Sequence, residues 1–216
     1  MAYDLQEQEQ IAAAKAWWSK YGRLVTWALI IVLVAYTAWT LWGNHQRKQL
    51  YQASQLFYEM QNAVVADNKE RVGRIAADIQ AKFGKTPYAS MAGLIAARAA
   101  YEAKEAEAAK SQLRWIVHSG RDEGYKAIAR IRLAAILLEE EKFEEALGAL
   151  AADFPPAFAS MAEDRRGDIY YAQGRLDEAR RAFRLALERA APDDQGRVLI
   201  QLKLEDLGGE AAAPEK

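Results

Sequence analysis

The most informative segment of the chain is RGDIYYAQGRLDEARRAFRLAL, which occupies residues 166–187. Small, aromatic and acidic residues recur in it at spacings typical of two antiparallel helices joined by a glycine turn. Gly167 and Ala179 would allow the two helices to touch closely, while Tyr170 and Phe183 would fill the volume around that contact. The segment therefore predicts a pair of packed helices.

This segment resembles a tetratricopeptide repeat. Seven of its residues match the pattern of that repeat, namely Gly167, Tyr170, Gly174, Glu178-Ala179, Phe183 and Ala186. A second, degenerate copy has Ala146 in the position of Ala179, 33 residues upstream. A third copy falls around Ala97 and Leu113. The repeated spacing predicts an array of stacked helix pairs.

The rest of the array is predicted from helical periodicity. Residues 49–66 and 68–83 form a further pair that has lost the repeat signature. Residues 193–207 are amphipathic and would cap the array through Leu199, Leu202 and Leu207. The tail, residues 208–216, is predicted to be disordered. We therefore expect an all-α fold, with a tetratricopeptide-like α-solenoid of four helix pairs and a C-terminal capping helix over residues 47–207.

A charge-free stretch of 23 residues, 24–46, precedes the array. Its apolar run 24–42 would span about 28 Å as a helix, which is close to the apolar thickness of a bilayer. Aromatic residues flank the run as in membrane-interface belts, at Trp17, Trp18, Tyr21, Trp39 and Trp42. A signal peptide has a shorter apolar region, and a buried core helix rarely lacks charge for so long. The stretch predicts a single transmembrane anchor in contact with the lipid bilayer.

The charges beside the anchor favour one orientation. Three basic residues precede it within a short distance and two follow it, which are Lys15, Lys20 and Arg23 against Arg47 and Lys48. By the positive-inside rule residues 1–23 would be cytoplasmic or interfacial, and residues 47–207 would lie in the periplasm. Residues 7–21 either lie along the membrane surface or extend the anchor helix.

Composition excludes several classes of function. The net charge is −1, which provides no electrostatic footprint for nucleic acid. There is no cysteine, so disulfides, thiolate metal sites and a cysteine nucleophile are excluded. The acidic run 139–145 could suggest a metal but surrounds a predicted turn, and we interpret it as a solvated face. We expect no enzyme activity, no cofactor, no metal and no small-molecule substrate.

Candidate binding residues follow from the geometry of the repeat, which directs one stripe of each first helix into a groove. Those stripes are Met91, Leu94, Arg98 and Tyr101; Ile128, Ile131, Ala135 and Leu138; and Met161, Asp164, Asp168 and Tyr171. For the aliphatic members there is an alternative interpretation, in which they simply pack against a neighbouring helix. The polar and aromatic members combine apolar contact with directional hydrogen bonds, which suits an extended or partly unfolded polypeptide.

Beyond the repeats, the whole chain resembles the YfgM family. The most specific matches are residues 7–10, Trp17-Trp18, residues 42–46 and residues 88–92. The resemblance implies a single-pass inner-membrane protein with a periplasmic helical domain, an ancillary subunit of the SecYEG translocon. It also implies work beside a PpiD-like periplasmic chaperone on emerging polypeptides, and it implies no catalytic residues.

Two functional hypotheses follow. The first is a non-enzymatic membrane-anchored adaptor of the translocon, whose tether would raise its effective concentration near other membrane proteins. The second is a membrane-tethered regulator that binds and restrains a signalling protein, such as a stress response regulator.

Overall fold

The computed structural model describes residues 2–208, with side chains from residue 9 onward. Every regular element in these residues is an α-helix, which confirms the all-α fold. The nine helices are α1 (Ala2–Val65), α2 (Lys69–Phe83), α3 (Pro87–Glu102), α4 (Ala106–Ser119), α5 (Glu123–Glu139), α6 (Phe143–Ala149), α7 (Pro156–Ala172), α8 (Leu176–Arg189) and α9 (Gly196–Asp206). The predicted disordered tail lies, except for Gly208, outside the described residues.

Helix α1 contains the predicted anchor and is long and apolar enough to cross a membrane. The hydroxyls of Thr26, Thr37 and Thr40 each donate to the carbonyl four residues earlier, at 2.8 to 2.9 Å. These polar groups are thus satisfied within the helix, as an apolar bilayer requires. Residues 7–21 belong to the same helix, which matches the alternative of a helical extension.

Contacts divide the chain into two units, which meet in sequence at Gln49 and Leu50. In the second unit, residues 50–65 of α1 pack with α2 and α3 around Phe57, Met60, Ile75 and Ile79. The pairs α3 with α4, α5 with α6 and α7 with α8 follow, and α9 packs on α8. The predicted four pairs and cap are present. The first helix of the first pair is the C-terminal part of α1, residues 50–65.

The contact between α7 and α8 has the predicted form. Ala179 and Phe183 are buried, and a Cβ atom at Gly167 would overlap the ring of Phe183. Tyr170 packs against the same cluster, with the guanidinium of Arg175 stacked 4.5 Å above its ring. The missing side chain of Gly167 therefore makes room for an aromatic ring from the partner helix.

One member of the acidic run has a structural role that the sequence interpretation missed. Lys110 of α4 is 1% exposed, and its ammonium lies 2.6 Å from Glu140 and 2.6 Å from Glu107. A buried ammonium needs such compensation, and these hydrogen bonds raise its pKa. Glu140 thus ties the α5–α6 turn to α4, so the interpretation as a purely solvated face is wrong at this position.

The capping helix is rotated relative to the prediction. Ile200, Leu204 and Leu207 are buried against α8, whereas Leu199 and Leu202 are each 57% exposed. The prediction of Leu199 and Leu202 as inward residues is therefore wrong. Two apolar stripes coexist on this short helix, and only packing against Phe183 and Leu187 decides which one is buried.

The close contact of α7 and α8 generates a prediction. Gly167→Ala should lower the free energy of unfolding by about 1–3 kcal/mol, because the buried ring of Phe183 must move. Gly73→Ala is the matched control, since a Cβ there meets nothing within 4 Å and alanine favours a helix by about 0.5–1 kcal/mol. Thermal unfolding of the full chain in detergent measures both, and equal stability of the two variants would contradict the assigned contact.

Candidate functional site

Helices α3 and α5 enclose an open pocket with a volume of about 260 Å³. Its floor is apolar and consists of Ala97, Leu113 and Ile136, which belong to the buried core or its edge. Small side chains at Ala97 and Ala135 leave the space between the two helices unfilled. The pocket can therefore accept a large apolar side chain from a protein partner.

Polar groups stand at the rim of this pocket. The hydroxyl of Tyr101 donates to both carboxylate oxygens of Glu139, at 2.8 and 2.6 Å, and this bond raises the pKa of Tyr101. The Nε of Arg98 donates to Glu102 at 2.7 Å and lowers the pKa of that carboxyl. These partners restrain two exposed side chains before anything binds, which reduces the entropy that a ligand must overcome.

Arg132 completes the rim from the α5 side. No carboxylate of the described residues lies within ion-pair distance of its guanidinium. Arg165 follows Arg132 by 33 residues and occupies the equivalent position in the next first helix, α7, whereas the residue of α5 that is equivalent to Arg98 is Ala135. Arg132 and Glu139 were missed as candidates, because the register of the first helices leads from Arg98 to Ala135, and these two residues lie beside that stripe.

Two predicted groove residues instead hold the capping helix. Lys203 of α9 donates to Asp164 and to Asp168, at 2.7 Å each. Burial raises the pKa of Asp164, an effect that the hydrogen bond from Lys203 opposes. Asp168 also accepts from Arg165 at 3.0 Å. Both carboxylates are therefore engaged inside the molecule, between α7 and α9.

The remaining predicted residues divide between packing and surface. Leu94 lies in the core, and the half-buried side chains that pack against core residues are Met91, Ile128, Ile131 and Leu138. These positions fit the packing alternative. Met161 and Tyr171 are exposed, and Tyr171 lines a second pocket of about 220 Å³ with Asp168, Phe183, Lys203 and Asp206. The structure thus unites Arg98, Tyr101 and Ala135 in one pocket and Asp168 with Tyr171 in another.

The groups that line the pocket between α3 and α5 are suited to binding a polypeptide. The pocket offers an apolar floor, a restrained phenol, carboxylates and guanidinium groups, which together can bind side chains and backbone of a polypeptide. In the part of the chain with described side chains, no three His, Asp or Glu residues form a group that could hold a metal ion.

Comparisons with known proteins agree with this architecture. A family model for a tetratricopeptide repeat-like domain matches residues 15–209. A Neisseria gonorrhoeae protein named ancillary SecYEG translocon subunit is 30% identical, over 96% of this chain and 100% of its own length. Proteins of the same name from Haemophilus influenzae and Escherichia coli are each 28% identical, over 96% and 82% of this chain and 100% and 85% of their own lengths.

The bridge between α7 and α9 generates a second prediction. Lys203→Ala should destabilise the docking of α9 by about 1–3 kcal/mol, because Asp164 and Asp168 lose a shared charged donor. Hydrogen exchange of the α9 amides should then accelerate while exchange in α3 to α6 stays unchanged. The control Lys82→Ala removes only an exposed pair with Asp78 and should leave α9 unaffected. Unaltered protection of α9 in the first variant would show that the bridge does not hold the cap.

Proposed function

Because this chain belongs to the YfgM family of ancillary SecYEG translocon subunits, with their tetratricopeptide repeat-like domain, we propose that it is an accessory subunit of that translocon. It acts as a non-enzymatic adaptor in the inner membrane. Helix α1 supplies a single membrane span, and the helical array binds proteins on the periplasmic side.

The observation that carries this proposal is the pocket between α3 and α5. One apolar side chain of a partner enters it over Ala97 and Ile136, while Arg132 and Tyr101 bind polar groups at the rim. Neighbouring first helices lie about 8–10 Å apart, which is close to three residues of extended chain at about 3.3 Å each. An extended polypeptide can therefore reach equivalent positions on consecutive repeats.

Two partners suit such a groove at the exit of a translocon. One is a segment of a PpiD-like periplasmic chaperone, and the other is the emerging polypeptide itself. Affinity for either can be modest, because anchoring in the same membrane raises the effective concentration of the partners, typically to the millimolar range for short tethers. The basic residues that precede the anchor support a cytoplasmic N-terminus and a periplasmic array.

The pocket provides a direct test of the adaptor function. A variant with Arg98→Ala, Tyr101→Ala and Arg132→Ala should capture translocon subunits or the chaperone at least about tenfold less, since a loss of 1.4 kcal/mol is already tenfold. Its melting temperature should change little, because exposed substitutions usually cost under about 0.5 kcal/mol each.

Arg181→Ala with Arg184→Ala, on the exposed face of α8, is the matched control and should capture partners normally. Co-purification from detergent extracts of membranes is the measurement. A well-folded groove variant with normal capture would refute the groove as the binding site, and capture of a cytoplasmic response regulator instead would support the regulatory alternative.

Topology is tested separately. A reporter that is active only in the periplasm should be active when fused after Lys216, because the three-to-two basic bias favours a cytoplasmic N-terminus. The same reporter fused before Met1 should be inactive. The reverse pattern would exclude a periplasmic array and with it the chaperone partner.

A further inference from the structure

The first helix of the array has one face that no other described element covers. We define this outer stripe as Tyr51, Gln55, Tyr58, Asn62 and Val65. At 100° per residue these positions fall within a narrow arc, opposite the buried residues Ala53, Phe57, Met60 and Ala63. Tyr51, Tyr58 and Val65 are 67%, 61% and 89% exposed. Their side chains therefore point away from the solenoid.

The outer stripe lacks the charges of a solvated face. All five of its members are uncharged, although 27% of the chain is charged. The exposed face of α8, by contrast, carries Asp177, Arg181, Arg184 and Glu188. Solvated helix faces are rich in charge, whereas interfaces are depleted in it and enriched in tyrosine. The composition of the outer stripe is thus that of an interface.

We propose that the outer stripe binds the outer stripe of a second copy of this chain, in a parallel and in-register helix pair. The stripe begins five residues after the charge-free anchor segment. All copies cross the membrane in the same direction, so these segments leave it side by side and in the same direction. In a two-fold symmetric parallel pair each residue faces its own counterpart.

The residues of the stripe suit self-pairing. In such a pair a charged residue would face an identical charge and be repelled by it. The outer stripe contains no charged residue. Tyrosine, glutamine and asparagine each carry both a donor and an acceptor, so identical side chains can bond to each other. Tyr51, Tyr58 and Val65 are seven residues apart. This spacing keeps such residues at the interface between two parallel helices.

The size of the stripe explains why the membrane is needed. Residues 51–65 extend over about 22 Å, and one such helix face buries less than the roughly 1,200 Å² of stable soluble complexes. The pair is weak in free solution. Anchors in a common membrane supply the orientation and the effective concentration that the interface lacks.

Single cysteines test this proposal, because the chain has none of its own. Tyr51→Cys, Tyr58→Cys and Val65→Cys in the full-length protein should form disulfide-linked dimers under mild oxidation in membrane vesicles. The neighbouring control variants Gln52→Cys and Gln61→Cys should give at least about fivefold less disulfide-linked dimer, since a disulfide needs Cα atoms about 4.4–6.8 Å apart.

Three results would overturn the proposal. The first is equal dimer formation at stripe and control positions. The second is an adduct whose mass shows a different protein on the stripe. The third is preferential dimer formation through Leu202→Cys, on the exposed face of α9, which would indicate association through the other end of the array.

A charge introduced into the stripe gives an independent measurement. Tyr58→Glu in the Tyr51→Cys background should reduce the disulfide-linked dimer at least about fivefold, because two like charges would then face each other. The exposed position of Tyr58 leaves the core intact, which circular dichroism can verify. An unchanged dimer yield in the folded variant would refute the parallel pair.

Discussion

Close contact between paired helices is the constraint on which the array depends. Gly167 admits the ring of Phe183, and a Cβ atom at Gly93 would come within 3.0 Å of Ile116. Ala134 and Ala146 are fully buried at the corresponding contact of α5 and α6. Because a larger residue at any of these points would separate the helices, the small side chains set the spacing of successive pairs and with it the width of the groove.

The electrostatic arrangement then decides which surfaces are open to partners. The ion pair of Lys110 with Glu140 joins two parts of the array. Lys203 pairs with Asp164 and Asp168 in the same way, so these two carboxylates are not free to bind a partner. Tyr101 and Arg98 are restrained by neighbouring carboxylates but still reach solvent. In the pocket between α3 and α5, a restrained polar rim surrounds an unfilled apolar floor, so this surface is open to a partner.

Sequence patterns predicted the features that depend on local spacing. The anchor is defined by the length of an uncharged run, and the α7–α8 contact by Gly167 and Phe183 within one repeat. Helix rotation was harder to predict, because one residue corresponds to 100° and tertiary packing decides the face. Leu199 and Leu202 were placed inward in error for this reason. The stripe on α5 was similarly drawn through Ile131 and Leu138, which are half-buried, and it missed the exposed Arg132 at the rim of the pocket.

Covalent capture from the groove in living cells tests the central claim most directly. A photo-crosslinking amino acid at Arg132 should yield adducts with translocon subunits, a periplasmic chaperone or exported polypeptides, while the same group at Arg181 on α8 should yield few. Equal adducts from both positions, or adducts only with cytoplasmic proteins from Arg132, would contradict an anchored adaptor that works through this groove.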